Sequence, residues 1–137
     1  MESIEDSIKE IHSVFSFFRD PMEKIEQLID YGKIATGISE DLKTNENQII
    51  GCTSMAWVIC ENNNNKIMIS TDSESYIVRG LLHLLEKILN NRTKEEILSV
   101  EPGSILINVG LGKNITSQRT NGFLSAVNKI QNQIESL

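Results

Sequence analysis

The sequence is poor in the residues that build metal clusters and nucleic-acid surfaces. Its 137 residues include only two cysteines and two histidines, and without C-x-x-C or H-x-x-H spacing these do not form a recognisable zinc cluster, so no metal ligand is assigned. Thirteen Lys and Arg residues stand against nineteen Asp and Glu, for a net charge of −6. No basic cluster stands out, which argues against nucleic-acid and anionic-membrane partners.

Long apolar runs and an evident targeting segment are also missing. The most apolar stretch, residues 81–89, is interrupted by His83, Glu86 and Lys87, whereas a membrane-spanning helix needs about 20 apolar residues. The acidic start, residues 1–6, lacks the apolar stretch of a secretory signal. We therefore expect a cytoplasmic protein with reduced thiols, although a plastid location stays open if a transit peptide has been removed.

The two cysteines are not expected to pair with each other. If the residues between Cys52 and Cys60 form a strand, their Cα atoms lie roughly 26 Å apart. A disulfide requires Cα atoms within about 7 Å. On this interpretation an intrachain bridge is not expected.

The hydrophobic pattern predicts one α+β domain over residues 1–137, with a short antiparallel sheet of about three strands packed against several helices. Apolar residues at helical spacing predict a first helix over residues 4–18. Asp20 and Pro21 then stop that helix and cap the next. The polar residues 35–48 are typical of a surface loop.

A hairpin and further helices are predicted beyond that loop. The apolar residues 55–60 indicate a buried strand, and residues 66–71 the strand that returns after four asparagines. Asp72 and Ser73 are the predicted cap of a long core helix over residues 77–89. Thr93 begins a capping box, which indicates the start of a short helix. The last helix is predicted to start at Thr116 or Ser117. Residues 105–111 alone would be assigned to a strand.

Cys52 is the first candidate for chemistry. It follows Gly51 where the polar loop enters the buried strand, so the backbone is free to move and the thiol can be partly exposed. A thiolate is the reactive form of cysteine, but a free cysteine is often just a small buried hydrophobe. Position alone leaves both interpretations open. Cys60, inside the apolar strand, is interpreted as a core residue.

Arg119 is the second candidate. It lies four residues before Phe123 and in the first helical turn, where it covers the apolar stripe and opposes the helix dipole. Alternatively, its stem covers apolar surface while its guanidinium reaches water. Gly80 and Gly122 interrupt helical patterns, which indicates close packing of another element. Glu74 is explained by the helix dipole, in the first turn after the predicted cap.

Other enzyme classes find no support in the residues. The chain has no serine nucleophile motif, no phosphate-binding loop and no paired-carboxylate pattern. The pattern therefore describes a soluble domain with one candidate cysteine and one unusually placed arginine.

Three motifs occur in order along the chain. Residues 49–57 are I-I-G-C-T-S-M-A-W, residues 72–80 are D-S-E-S-Y-I-V-R-G, and residues 115–123 are I-T-S-Q-R-T-N-G-F. They resemble G-C-x-S-x-x-W, D-S-D/E-x-x-I-V-K-G and L-[ST]-x-x-R-x-x-G-L, the motifs of the SufE-type sulfur acceptors of iron–sulfur cluster assembly. The resemblance runs from about Phe18 to the end, and the three motifs together are specific.

The resemblance implies an accessory sulfur-transfer protein rather than an enzyme. A PLP-dependent cysteine desulfurase, SufS- or CsdA-like, would hold sulfur as a persulfide. Cys52 would accept that sulfur, stimulate the desulfurase and pass the sulfur to a SufBCD-like scaffold. PLP belongs to the desulfurase, so no cofactor is expected here. Gly51, Ser54, Glu74 and Arg119 would shape the Cys52 loop or the docking surface, and a weak homodimer stays open.

The family also implies a resting state. Its cysteine lies on a mobile loop and enters an apolar cavity, which would protect a persulfide and raise the thiol pKa. This chain departs from the pattern at Ile50, where Pro is common, and at Thr53 and Met55, where Gln is frequent. Ala56 is also smaller than the usual Val. These departures bear on which desulfurase the loop fits. For residues 105–111 the resemblance implies helical or irregular structure.

Two alternatives remain beside the sulfur carrier. A docking regulator of the same fold would still stimulate the desulfurase after Cys52→Ser replacement. A thiol redox protein would undergo oxidation at Cys52 by peroxide without any partner.

Overall fold

The computed structural model describes residues 3–137. Within that range the chain forms six helices and one two-stranded antiparallel sheet. The helices are α1 (Ile4–Phe17), α2 (Pro21–Ile34), α3 (Tyr76–Leu89), α4 (Lys94–Leu98), α5 (Ile105–Asn108) and α6 (Ser117–Glu135). The strands are β1 (Ala56–Asn63) and β2 (Lys66–Ser73), and short 3-10 turns cover Glu40–Leu42 and Pro102–Ser104.

Helix starts follow the capping residues of the sequence. The Asp20 carboxylate accepts a hydrogen bond from the Met22 N–H, with Pro21 in the first helical position. Thr93 forms its capping box, and Thr116 accepts from the Arg119 N–H at the start of α6. These side chains satisfy backbone donors that a helix leaves unpaired, so the predicted starts of α2, α4 and α6 are confirmed.

The sheet is a single hairpin. Its register runs from Ala56 opposite Ser73 to Asn63 opposite Lys66. Asn64 and Asn65 form the two-residue turn with φ values of 54° and 65°, a left-handed conformation that asparagine tolerates. The sheet in residues 3–137 has two strands, not about three. On the other edge of β1, an isolated antiparallel bridge pairs Trp57 with Gln48.

Helix α3 is the centre of the core. It packs against α2, β2, α1 and α6, and eight of its residues are buried. Gly80 faces the backbone of Leu28 in α2 so closely that an added Cβ would overlap with the Leu28 carbonyl oxygen. Gly32 of α2 meets the Tyr76 carbonyl in the same way. The packing role predicted for Gly80 is confirmed, and Gly32 makes a second close approach from within α2.

The junction between β2 and α3 differs from the prediction. Asp72 and Ser73 end β2, and the N-cap of α3 is Ser75. The Ser73 hydroxyl donates to the Met55 carbonyl oxygen at 2.8 Å instead of capping the helix. Glu74 therefore precedes the helix, and its predicted place in the first turn is wrong.

The ambiguous residues 105–111 are helical and irregular, as the resemblance implied. Ile105 and Leu106 are buried, Ile107 is 68% exposed, and Val109 is buried again. This spacing fits a helical turn at the surface, not a strand buried on both faces. No helix within residues 3–137 has the length and apolar character to span a bilayer.

Candidate functional site

Cys52 lies on a closed loop between two fixed stems. The Ile49 N–H donates to the Ala56 carbonyl oxygen at 2.8 Å, and the Val58 N–H donates to the Asn47 carbonyl oxygen at 2.9 Å. Residues 50–55, called the thiol loop below, project beyond these bonds. Gly51 has a φ of +98°, a conformation that glycine adopts without strain.

The tip of the thiol loop rests on α6. The Sγ atom of Cys52 lies 3.8 Å from the Gly122 carbonyl oxygen, a weak S–H hydrogen bond. Beside the thiol is a pocket that leaves about 10 Å³ for the centre of a water-sized atom, about the room that one water molecule requires. Its lining comes from the thiol loop, α3 and α6: Cys52, Thr53, Val78, Leu81, Leu82, Gln118, Arg119, Gly122 and Phe123.

The resting position makes the thiol less acidic. Cys52 is half-buried, and burial raises its pKa above the ordinary value of 9.0, since an apolar surrounding disfavours the thiolate. At neutral pH the resting group is therefore the protonated thiol. Its reactivity should increase when the loop leaves the pocket or a partner places positive charge beside it.

Arg119 lines the same pocket. It lies in the first turn of α6, as predicted, and it is half-buried. No carboxylate within residues 3–137 forms an ion pair with its guanidinium. A cation without a paired carboxylate next to a thiol can stabilise an anionic sulfur species or meet an acidic group on a partner.

The other predicted site residues lie along the loop. Gly51 is exposed and faces Ser125 of α6, whose Oγ would lie 3.0 Å from a Cβ added at Gly51. Ser54 is half-buried within the loop, and Glu74 is exposed. The Glu74 N–H donates to the Met55 carbonyl oxygen at 3.0 Å, so its backbone ties the loop to the start of α3. The structure thus brings Gly51 and Arg119 to the α6 side of Cys52 and Glu74 to the end of the loop.

Several residues of the site were not identified as such from the sequence. Val78, Leu81 and Leu82 form the pocket wall on α3, but the sequence pattern assigned them only to the core stripe. Gly122 was assigned to packing, and its packing partner is Cys52 itself. The available signal was the R-x-x-G spacing, which puts Arg119 and Gly122 about one helical turn apart.

A cluster around Asp72 fastens the chain that leads to the thiol loop. Its carboxylate lies 2.9 Å from Arg79 Nε and 3.4 Å from Lys43 Nζ. It also accepts backbone hydrogen bonds from Ile38 and Ser73 at 3.1 and 2.8 Å. Burial alone would raise the Asp72 pKa, but these donors and cations together hold it below 3.8. We call these five residues the Asp72 cluster.

Cys60 has a different environment. It lies on β1 opposite Ile69 and packs against the core, which confirms the core interpretation. Burial raises its pKa to about 12, while Lys129 acts in the opposite direction. Both cysteines are free thiols. No three His, Cys, Asp or Glu side chains in residues 3–137 are grouped closely enough to hold a metal ion.

Comparison with known proteins places the chain in a family. It is 33% identical over 132 residues to the SufE-like protein 1, chloroplastic/mitochondrial, of Arabidopsis thaliana, covering 96% of this chain and 35% of that protein. The chain thus spans about a third of this relative's length. It is 31% identical over 103 residues to the sulfur acceptor protein CsdE of Escherichia coli, covering 73% of this chain and 69% of that protein.

A solved structure and a family model agree with these relatives. The solution structure of a hypothetical protein from Thermus thermophilus superposes with a TM-score of 0.79 at 18% identity, over 99% of this chain and 97% of that one. This likeness shows the fold. The sequence model of the SufE family, described as an Fe-S metabolism associated domain, matches residues 9–134. The chain belongs to the SufE family.

Proposed function

We propose that this protein is a sulfur carrier that accepts persulfide sulfur from a cysteine desulfurase on Cys52. One observation carries the proposal: Cys52 lies at the tip of a loop that backbone hydrogen bonds hold at its two ends, beside a pocket with room for about one more atom. The name of the Escherichia coli relative as a sulfur acceptor, and the family's description in Fe-S metabolism, support the same role.

The transfer is a thiol–persulfide exchange. The Cys52 thiolate attacks the outer sulfur of the desulfurase persulfide, forming a new S–S bond. The S–S bond on the desulfurase breaks, and its cysteine leaves as a thiolate. One sulfur atom moves with no net oxidation, so no external oxidant is needed. The rate depends on the thiolate fraction of Cys52 and on its access to the partner.

The pocket suits the loaded state of the carrier. Val78, Leu81, Leu82 and Phe123 give it an apolar wall, which keeps water and polar reductants away from a bound sulfur atom. The raised pKa of the resting thiol limits reaction with other electrophiles. Docking of the partner draws the loop out, exposes the thiol and stimulates turnover of the desulfurase.

The surrounding residues have supporting roles in this proposal. Gly51 and Ser54 shape the loop, while Glu74 and Arg119 belong to the surface that meets the desulfurase. The carrier needs no cofactor, since PLP is held by the desulfurase. A reducing compartment such as the cytoplasm keeps the empty Cys52 a thiol. Downstream, a thiol of a SufBCD-like scaffold takes the outer sulfur by the same exchange.

The test is the intact mass of the reduced protein after incubation with a cysteine desulfurase and L-cysteine. We expect the wild type to gain one or more sulfur atoms and Cys52→Ser to gain none. Cys60→Ser is the matched control and should gain sulfur like the wild type. Sulfur on Cys52→Ser, or none on the wild type with several desulfurases, would contradict the proposal.

The same experiment separates the alternatives. Faster desulfurase turnover with no sulfur on the wild type, and with Cys52→Ser equally effective, would indicate a docking regulator. Oxidation of Cys52 by peroxide alone, with no sulfur gained from any desulfurase, would indicate a thiol redox protein.

A further inference from the structure

Helix α6 meets the thiol loop at two small residues one turn apart. A Cβ added at Gly122 would lie 3.0 Å from the Sγ of Cys52 and 3.4 Å from its Cα. At the next position along the same face, Ser125 Oγ approaches Gly51. Favourable contacts between non-bonded heavy atoms lie near 3.5–4.0 Å. The thiol therefore occupies space that any side chain at position 122 would need.

At this contact helix α6 is held more firmly than the thiol loop. The neighbours of Gly122 on α6 are buried in the core, among them Phe123, Ala126 and Val127. In contrast, Gly51 and Thr53 on either side of Cys52 are exposed. An atom inserted between α6 and the loop would therefore displace the loop, because α6 is anchored by its buried face.

Glycine at position 122 also has a cost for the helix. Glycine in a helix interior is less stable than alanine because its backbone loses more conformational freedom. Position 122 lies in the second turn of a 19-residue helix, where alanine would be preferred on helical grounds alone. The contact with Cys52 is the reason that the structure offers for glycine.

We propose that Gly122 is a positioning residue that sets the resting place of the sulfur-accepting thiol: its missing side chain forms the seat in which Cys52 lies until a partner removes it. This inference rests on the proposed function of Cys52. It goes further by assigning the resting state of the carrier to one residue of α6. The loop is held by shape at this seat and by the weak S–H contact to the Gly122 carbonyl oxygen.

The Gly122→Ala variant tests the seat directly. Rotation of the Cys52 side chain relieves the contact with Sγ, but the contact with Cα is already at the short edge of the ordinary range. The thiol should therefore turn away from α6 and gain access to solvent. Burial raises the pKa of the Cys52 thiol in the wild type, so a displaced thiol should ionise at lower pH.

The measurement is the pH profile of Cys52 alkylation by iodoacetamide, in a Cys60→Ser background so that one thiol reacts. We expect Gly122→Ala to shift the profile to lower pH and to raise the rate at pH 7 about tenfold, the change in thiolate that one pKa unit gives. Asn121→Ala is the matched control, since it places alanine in the same turn of α6 at an exposed position that does not line the Cys52 pocket. Its profile should match that of the parent.

Structural damage would give a different result. The urea midpoint of Gly122→Ala should equal or exceed that of its parent, because alanine favours the helix. An unchanged or slower alkylation in a folded variant would overturn the proposal. If Gly122→Ala does not fold, Gly51→Ala carries the test, since alanine at a φ of +98° and against Ser125 strains the same resting loop. Its alkylation profile should shift in the same direction, and an unshifted profile would again overturn the proposal.

Alkylation needs no desulfurase, so this outcome stands apart from the sulfur-loading test. A shifted profile without sulfur loading would support the positioning role of Gly122 and contradict the sulfur-carrier function. Sulfur loading with an unshifted profile would support the sulfur-carrier function and contradict the positioning role of Gly122.

Discussion

Gly80 and Gly122 both lie inside long helices, and they face different neighbours. Gly80 of α3 faces the backbone of α2, where an added Cβ would overlap with the Leu28 carbonyl oxygen. Gly122 of α6 faces Cys52 on a loop, where an added Cβ would be 3.0 Å from Sγ. The first neighbour is the backbone of a packed helix, whereas the second is a side chain on a partly exposed loop. A helix glycine therefore allows a close helix–helix contact in one place and makes room for a thiol in the other.

The surroundings extend this contrast. On the α2–α3 side, Gly32 makes a second close approach to α3, and the Asp72 cluster ties residues 35–48 to the start of α3. On the other side, the thiol loop is held at its stems by backbone bonds and rests on α6 at its tip. Elements with few buried contacts open at low free energy. We therefore expect one rigid side and one movable side in the same small domain.

The largest expected effect is at the rigid contact. Gly80→Ala should lower the free energy of unfolding by about 3 kcal/mol, the upper part of the usual range for overpacking, since a helix backbone must shift. Urea denaturation measures this change. Gly122→Ala is the comparison variant and should keep the wild-type value. A Gly80→Ala protein as stable as the wild type would remove the contrast between the two glycines.

Much of this fold could be predicted from local signals. The caps at Asp20, Thr93 and Thr116 and the apolar stripes between them depend on neighbouring residues, so the sequence contains them directly. The predicted cap at Asp72 failed because that carboxylate has distant partners. Its oxygens accept from Ile38 and pair with Arg79 and Lys43, and no local rule identifies such contacts.

Only part of the candidate site could be predicted from local signals. Cys52 was found from its motif and from its place at a loop-to-strand junction. The seat at Gly122 lies seventy residues further along the chain, and the pocket wall on α3 uses residues such as Leu81 that any buried helix would contain. Packing between distant elements creates the pocket, so single residue types do not predict it.

An intermediate effect is expected at the Asp72 cluster. Asp72→Asn removes the charge that pairs with Arg79 and Lys43 and should lower the free energy of unfolding at pH 7 by about 2 kcal/mol, as expected for hydrogen bonds to a charged group. The folded pKa of Asp72 lies below its ordinary 3.8. Its stabilisation is therefore complete above the unfolded pKa and disappears as the pH falls through the lower folded pKa.

Urea denaturation of the wild type and Asp72→Asn across this pH range measures the effect. The difference between the two proteins should be constant from neutral pH to about pH 5 and shrink below the ordinary carboxylate pKa. Asp41→Asn is the control, because Asp41 is exposed on the 3-10 turn. A difference that persists at the lowest pH would indicate that Asp72 contributes through packing, not charge.

The smallest effect on stability is expected at Cys60. Cys60→Ala should lower the free energy of unfolding by about 1 kcal/mol, since it removes one partly buried sulfur atom.

Alkylation of the native protein compares the two thiols directly. The β1–β2 ladder holds the Cys60 thiol, and burial raises its pKa to about 12. At pH 8 only about one molecule in ten thousand would carry the Cys60 thiolate. Site-resolved mass spectrometry after iodoacetamide treatment should therefore find Cys52 modified and Cys60 intact. Equal alkylation rates at the two cysteines would mean that Cys52 is held as firmly as a strand residue. This result would contradict the expected difference between a rigid and a movable side of the domain.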